Sequence, residues 1–162
     1  MPFKDNADSS ELRVTRATTN MDPISPVASV LAIAGAAAQI AKAISRLRAF
    51  GQMPARVLAL KNEVADLEVV LRQVGQVMQQ KSVLPKTEQD ESLHQILARA
   101  KSLLASLAIA LERLAKACEG SRIKTISRST IWYREKEMFE GFKTDIRAVK
   151  ASLNVVLGVS SA

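Results

Sequence analysis

His94 and Cys118 are the only histidine and the only cysteine in the chain. A side-chain nucleophile activated by an imidazole would therefore need that pair. Both fall in one long helical pattern, where the span from 94 to 118 is about 36 Å at about 1.5 Å per residue. A shared site within that helix is excluded. His94 is expected as a solvated first-turn residue and Cys118 as a small core residue. Neighbouring carboxylates occur in surface runs such as Asp90-Glu91. No glycine-rich loop ending in Lys-Ser/Thr, no HExxH and no cysteine pair is present. The sequence thus predicts a protein that is not an enzyme, with no cofactor and no metal site. A single cysteine excludes an internal disulfide and suits a reducing compartment.

Charge offers the other chemistry. The chain carries a net charge of +7 and an estimated pI near 9.9, a balance that favours an acidic partner, either an anionic membrane face or nucleic acid. Arg122, Lys124, Arg128, Arg134 and Lys136 form a basic cluster with Trp132 and Tyr133 between them. That interleaving is a weak nucleic-acid signal. The plainer reading is a solvated basic loop with Trp132 tucked into the end of the fold. Membrane phosphates would be bound by the same physics, at roughly 1 kcal/mol per basic residue near an anionic surface.

The stretch from Pro23 to Ala41 contains no charge and is rich in Ala, Val, Ile and Leu. Asp22 precedes it, and Lys42, Arg46 and Arg48 follow it. It approaches the roughly 20 residues that span a bilayer, but its alanines supply little transfer energy. It fits four descriptions: a cleaved signal sequence, a permanent span, the inner helix of a soluble bundle, or a bundle helix that can be released onto a membrane. Asp22, and a stripe that continues through Ile44 and Leu47, argue against the first. Pro23, Pro26, Ser29, Gly35 and Gln39 argue against the second.

The elements that position these residues are helices. Apolar content of 48% with 24% charge is globular, strong helix formers dominate, and strand-like alternation is absent. Residues 1–20 show no apolar period and predict a disordered tail. A first helix is expected from Ile24 to Phe50, capped by Asp22 with Pro23 in its first turn, and carrying Val30, Ile33, Ala37, Ile40, Ile44 and Leu47 as one stripe. A second runs from Pro54 to Gln80, with Val57, Leu60, Val64, Leu67, Leu71, Val74 and Met78 as heptad positions and Lys61, Glu63, Asp66, Glu68 and Arg72 off that seam. A third runs from Ser92 to Cys118, capped by Thr87 or Asp90. Leu97, Leu104, Ala108 and Ile109 widen its stripe, so it is expected to be the most buried. The fourth begins before Trp132 and ends near Gly158, and residues 159–162 look like the start of a linker. The fold class predicted is all-α, an antiparallel up-down-up-down four-helix bundle over 21–158.

Two segments resemble a known family. MDPISPVASVLAIAGAAAQIAKAI resembles the opening of the N-terminal helical domains of fungal NOD-like (NACHT or other STAND) receptors, and IWYREKEMFEGFKTDIRAVKASLNVVL resembles their last helix. The resemblance spans about Met21 to Leu157; between the two segments it rests on heptads alone. Such domains are similar to the HeLo-like cell-death modules, and these to the four-helix domains of mixed-lineage kinase domain-like pseudokinase and plant resistance coiled-coil proteins. The resemblance implies a cytoplasmic module that homo-oligomerises on activation and is recruited to the plasma membrane, which it permeabilises with its first helix. The membrane-inserting residues would be Val30, Ile33, Ala37, Ile40, Ile44 and Leu47. Lipid headgroups would meet Lys42, Arg46, Arg48, Arg122, Lys124 and Arg128. The twenty residues before Met21 depart from the family pattern. A second expectation is an adaptor that relays oligomerisation to partner helical domains without touching lipid. Nucleic acid is the weakest of the three.

Overall fold

The computed structural model describes residues 25–47, 55–81, 88–120, 130 and 133–160. These form four long helices: α1 Pro26–Arg46, α2 Ala55–Lys81, α3 Glu88–Gly120 and α4 Lys136–Ser160. The protein is an all-α four-helix bundle, as the periodicity predicts. Its core takes the predicted stripes, with Ile44, Leu60, Leu67, Leu71, Leu104, Leu107, Phe139, Ile146 and Leu153 fully shielded. Apolar side chains at three- and four-residue spacing give each helix one face to bury, and four such faces close a core.

The order of the helices around the bundle follows from their contacts. α1 packs on α2 and α3, and α4 also packs on α2 and α3. Among the described residues α2 shares no seam with α3, and α1 none with α4. These are the two diagonals, so α2 and α3, consecutive in the sequence, sit across the bundle from one another. Glu63 bonds Arg147 and Asp66 bonds Lys150, each pair 84 positions apart. A constant offset means that α2 and α4 run parallel. Gly75 of α2 faces Val30 and Leu31 of α1, so that hairpin is antiparallel. In the α3/α4 seam Arg99 pairs with Asp145 while Ala110 and Arg113 face Glu135 and Met138; one number rises as the other falls, so this pair is antiparallel too. Directions alternate along the chain as expected, and the neighbours α1 and α3 are parallel.

Several boundaries differ from the spacing-based expectation. Ser25 occupies the N-cap position of α1, with Pro26 in the first turn and no side-chain capping bond; Ser29 N–H donates to the Ser25 carbonyl at 3.0 Å. Pro26, whose missing N–H costs nothing there, fills the place expected of Pro23. Asp22 and Pro23 lie outside the described residues. α3 starts at Glu88, so Asp90 is within the helix and is not its cap. α4 runs from Lys136 to Ser160, past Gly158; Tyr133 and Arg134 before it are also helical but are set off by a turn at Glu135. The wider stripe expected on α3 holds in part: Leu97 and Leu104 are buried, whereas Ala108 is exposed and Ile109 is 52% exposed, on the side of α3 that no other helix covers. The tail expected at 1–20, and Trp132, fall outside the described residues.

Candidate functional site

α1 spans 21 residues, about 32 Å of helix at about 1.5 Å per residue, against about 30 Å for a bilayer's hydrocarbon core. It is long and apolar enough to cross a membrane, yet only 33% of its most apolar window is buried in the bundle. The helix has two faces. Val30, Ile33, Ala37, Ile40, Ile44 and Leu47 are all in the core, where α2 and α3 cover them. The opposite face presents Ala28, Leu31, Ala32, Ala36 and Gln39 to solvent, with Gly35 half-buried among them. No charge appears on either face before Lys42. Lys42 and Arg46, one turn apart, are both exposed. The outer face is thus apolar or neutral for four turns and ends in two cations.

The structure therefore gathers the six stripe residues into one buried row and places Lys42 and Arg46 at that helix's C-terminal end. Cations there complement the helix dipole. Arg48, Arg122, Lys124 and Arg128 lie outside the described residues. Cys118 is buried and His94 is exposed, both on α3, as the helical spacing predicts. No group of three or more His, Cys, Asp or Glu side chains converges on a metal-sized site among the described residues.

Spacing alone misses the charged seam between α2 and α4. Glu63 Oε1 accepts from Arg147 Nε at 2.6 Å, Lys150 Nζ lies 2.5 Å from Glu63 Oε2, and Asp66 Oδ2 accepts from Lys150 Nζ at 3.2 Å. Glu63 and Lys150 are only 13% and 17% exposed. Glu63 and Asp66, expected off the apolar seam, lie on the edge of α2 that meets α4. The signal is present as opposite charges at matched three-residue spacing, Glu63 and Asp66 against Arg147 and Lys150, on helices whose adjacency the sequence does not reveal. Burial by itself pushes the Glu63 carboxyl up, but hydrogen bonds and charges from Lys150 and Arg147 outweigh it and hold it below its ordinary value. Glu140, held low first by Lys143 on its own helix, also feels Arg56 of α2, again 84 positions away.

The family model described as "Pigment biosynthesis cluster protein PigL N-terminal" matches residues 21–161, which takes in all four helices. The chain belongs to this family. The match begins at Met21, where the segment resembling the receptor domains also begins, and it leaves residues 1–20 outside the matched region. No curated protein and no solved structure matches the chain.

Proposed function

We propose that this chain is the N-terminal signalling or cell-death effector domain of a fungal NOD-like receptor or related protein. It acts by oligomerising and by bringing its first helix to an anionic membrane, which it permeabilises. The observation that carries the reading is α1: a helix of membrane-spanning length, uncharged up to Lys42, with two-thirds of its apolar window not buried. A helix that served only as core would expose mostly polar residues on its outer face; α1 exposes Ala28, Leu31, Ala32 and Ala36 there, with Gln39 as the exposed polar residue before Lys42. Lys42 and Arg46 would anchor the helix end at the headgroups. The family's name assigns its domain to the N-terminus of a larger protein, which suits a module that answers to other domains.

The test is flotation with vesicles. The protein is expected to float with anionic vesicles and not with zwitterionic ones, and to lose binding as salt rises. Replacing Lys42 and Arg46 by Gln should weaken binding about fivefold per residue, from about 1 kcal/mol each. Binding that ignores lipid charge and both substitutions would remove the membrane reading and leave the adaptor reading. Under the adaptor reading, the exposed Val69, Ile109 and Val155 would meet partner helices.

A further inference from the structure

Charged groups meet at two levels of the α3/α4 seam, and the two levels differ in sign. At the first, Arg99 of α3 pairs with Asp145 of α4 at 3.7 Å. Two heptads further along α3 stands Arg113. The helices run antiparallel, so the residues level with Arg113 lie just before α4, and Arg134 is among them. Arg113 and Arg134 line one cleft together with Ala110, Leu114, Ala117, Glu135 and Met138. Two guanidinium groups, which repel one another, thus share a cleft where the first level has a cation and an acid. Arg113 has no carboxylate partner among the described residues, because its neighbour Glu112 is bonded to Lys116 at 2.8 Å. Arg134 Nε donates to Glu135 Oε1 at 3.3 Å, but that arginine is 73% exposed and such a pair is weak. Two cations against one carboxylate leave the lining positive.

Between these groups the cleft is apolar. Leu114 is buried and Met138 half-buried, and the small side chains of Ala110 and Ala117 leave the space open. Its volume is about 250 Å³, that of roughly eight waters at about 30 Å³ each. One short hydrocarbon chain fits such a space, whereas the two chains of a bilayer lipid do not. Methionine adapts its shape to an irregular apolar ligand, and guanidinium groups bind a carboxylate through charge-assisted hydrogen bonds.

We propose that this cleft binds a single-chain anionic amphiphile, a medium-chain carboxylate. The chain lies against Leu114 and Met138, and the carboxylate accepts from Arg113 and Arg134. The lining comes from α3, α4 and the turn before α4, not from α1, so the site does not rest on the membrane function proposed above.

The test is titration of the unmodified chain with octanoate, followed by calorimetry and by the methyl signal of Met138. Saturable binding that shifts the Met138 signal is expected. 1-Octanol, which lacks the charge, should bind at least about tenfold more weakly. Acetate, which lacks the chain, should also bind at least about tenfold more weakly. Arg113 and Ala117 are exposed, so substitutions there are expected to leave the fold intact, which circular dichroism checks. Arg113→Gln should weaken octanoate binding about tenfold, and Ala117→Phe, which fills the cleft, should abolish it. No saturation, equal binding of octanol or acetate, or unchanged affinity in Arg113→Gln would each overturn the proposal. If Ala117→Phe fails to fold, Arg113→Gln and the two control ligands decide. Vesicle flotation is read separately. Octanoate bound by a chain that does not float supports the site and counts against the membrane function alone; flotation without octanoate binding overturns the site alone.

Discussion

Glu63 is a carboxylate off the apolar heptad row, on the edge of α2 that meets α4, and its bonds to Arg147 and Lys150 make that contact specific. Lys150 bridges Glu63 and Asp66, so Lys150→Met leaves Glu63 with Arg147 only. Hydrogen bonds to charged groups contribute about 1.5–3 kcal/mol, and a loss in that range is expected from urea unfolding at neutral pH. The pH dependence has a definite sign. The Glu63 carboxyl is depressed from about 4.5, so its contribution is present above that value and is lost as pH falls through the folded value. Burial alone would lower Lys150, but its bonds to Glu63 and Asp66 raise it from about 10.5. Its contribution is present below that value and is lost as pH rises through the raised one. The stability gap between the wild type and Glu63→Gln should therefore be flat between these two values and shrink in acid. A gap that widens in acid would contradict the pairing.

At the scale of the helix, α1 was legible because its apolar stripe and its missing charges are written in consecutive residues. The six stripe residues are all buried as one row. The expected start at Ile24 lies two residues before the observed one at Pro26, because two prolines, Pro23 and Pro26, both suit a first turn. Its glycines were not interpretable without neighbours. An added Cβ on Gly35 meets nothing within 4 Å, so Gly35→Ala should stabilise the protein by about 0.5–1 kcal/mol through helix propensity alone. Gly75 is the opposite case. Its added Cβ would lie 3.4 Å from Leu31 Cδ2 and 3.6 Å from Val30 Cγ1. Ala just fits there, whereas Gly75→Leu forces the α1/α2 seam apart and should cost about 1–3 kcal/mol. Thermal unfolding of the two variants separates a glycine with no packing role from one that sets helix spacing. α3 departs from its pattern for a related reason: Leu97, Leu104, Ala108 and Ile109 all fit a wider apolar face, but only Leu97 and Leu104 meet neighbours, and Ala108 and Ile109 are exposed.

For the whole molecule, the number of helices and their alternating directions could be read from periodicity, whereas their order around the core could not. Which helix neighbours which depends on contacts between residues far apart in the chain, such as Glu63 with Arg147. Nothing in a single heptad pattern distinguishes an adjacent α2/α3 pair from a diagonal one. The same gap limited the site. Ile33 and Ile40, expected among the membrane-inserting residues, are both buried, so a charge there would unfold the bundle and test nothing else. Ala32 and Ala36 are exposed on the outer face of α1, and charges placed there should spare the fold while costing several kcal/mol on entry to hydrocarbon. The most direct measurement is dye release from anionic vesicles by the wild type and by Ala32→Glu and Ala36→Glu, after circular dichroism shows all three folded. The membrane account predicts leakage by the wild type and its loss in both variants. Leakage that both variants retain, or a wild type that releases no dye even when forced to oligomerise, would contradict it.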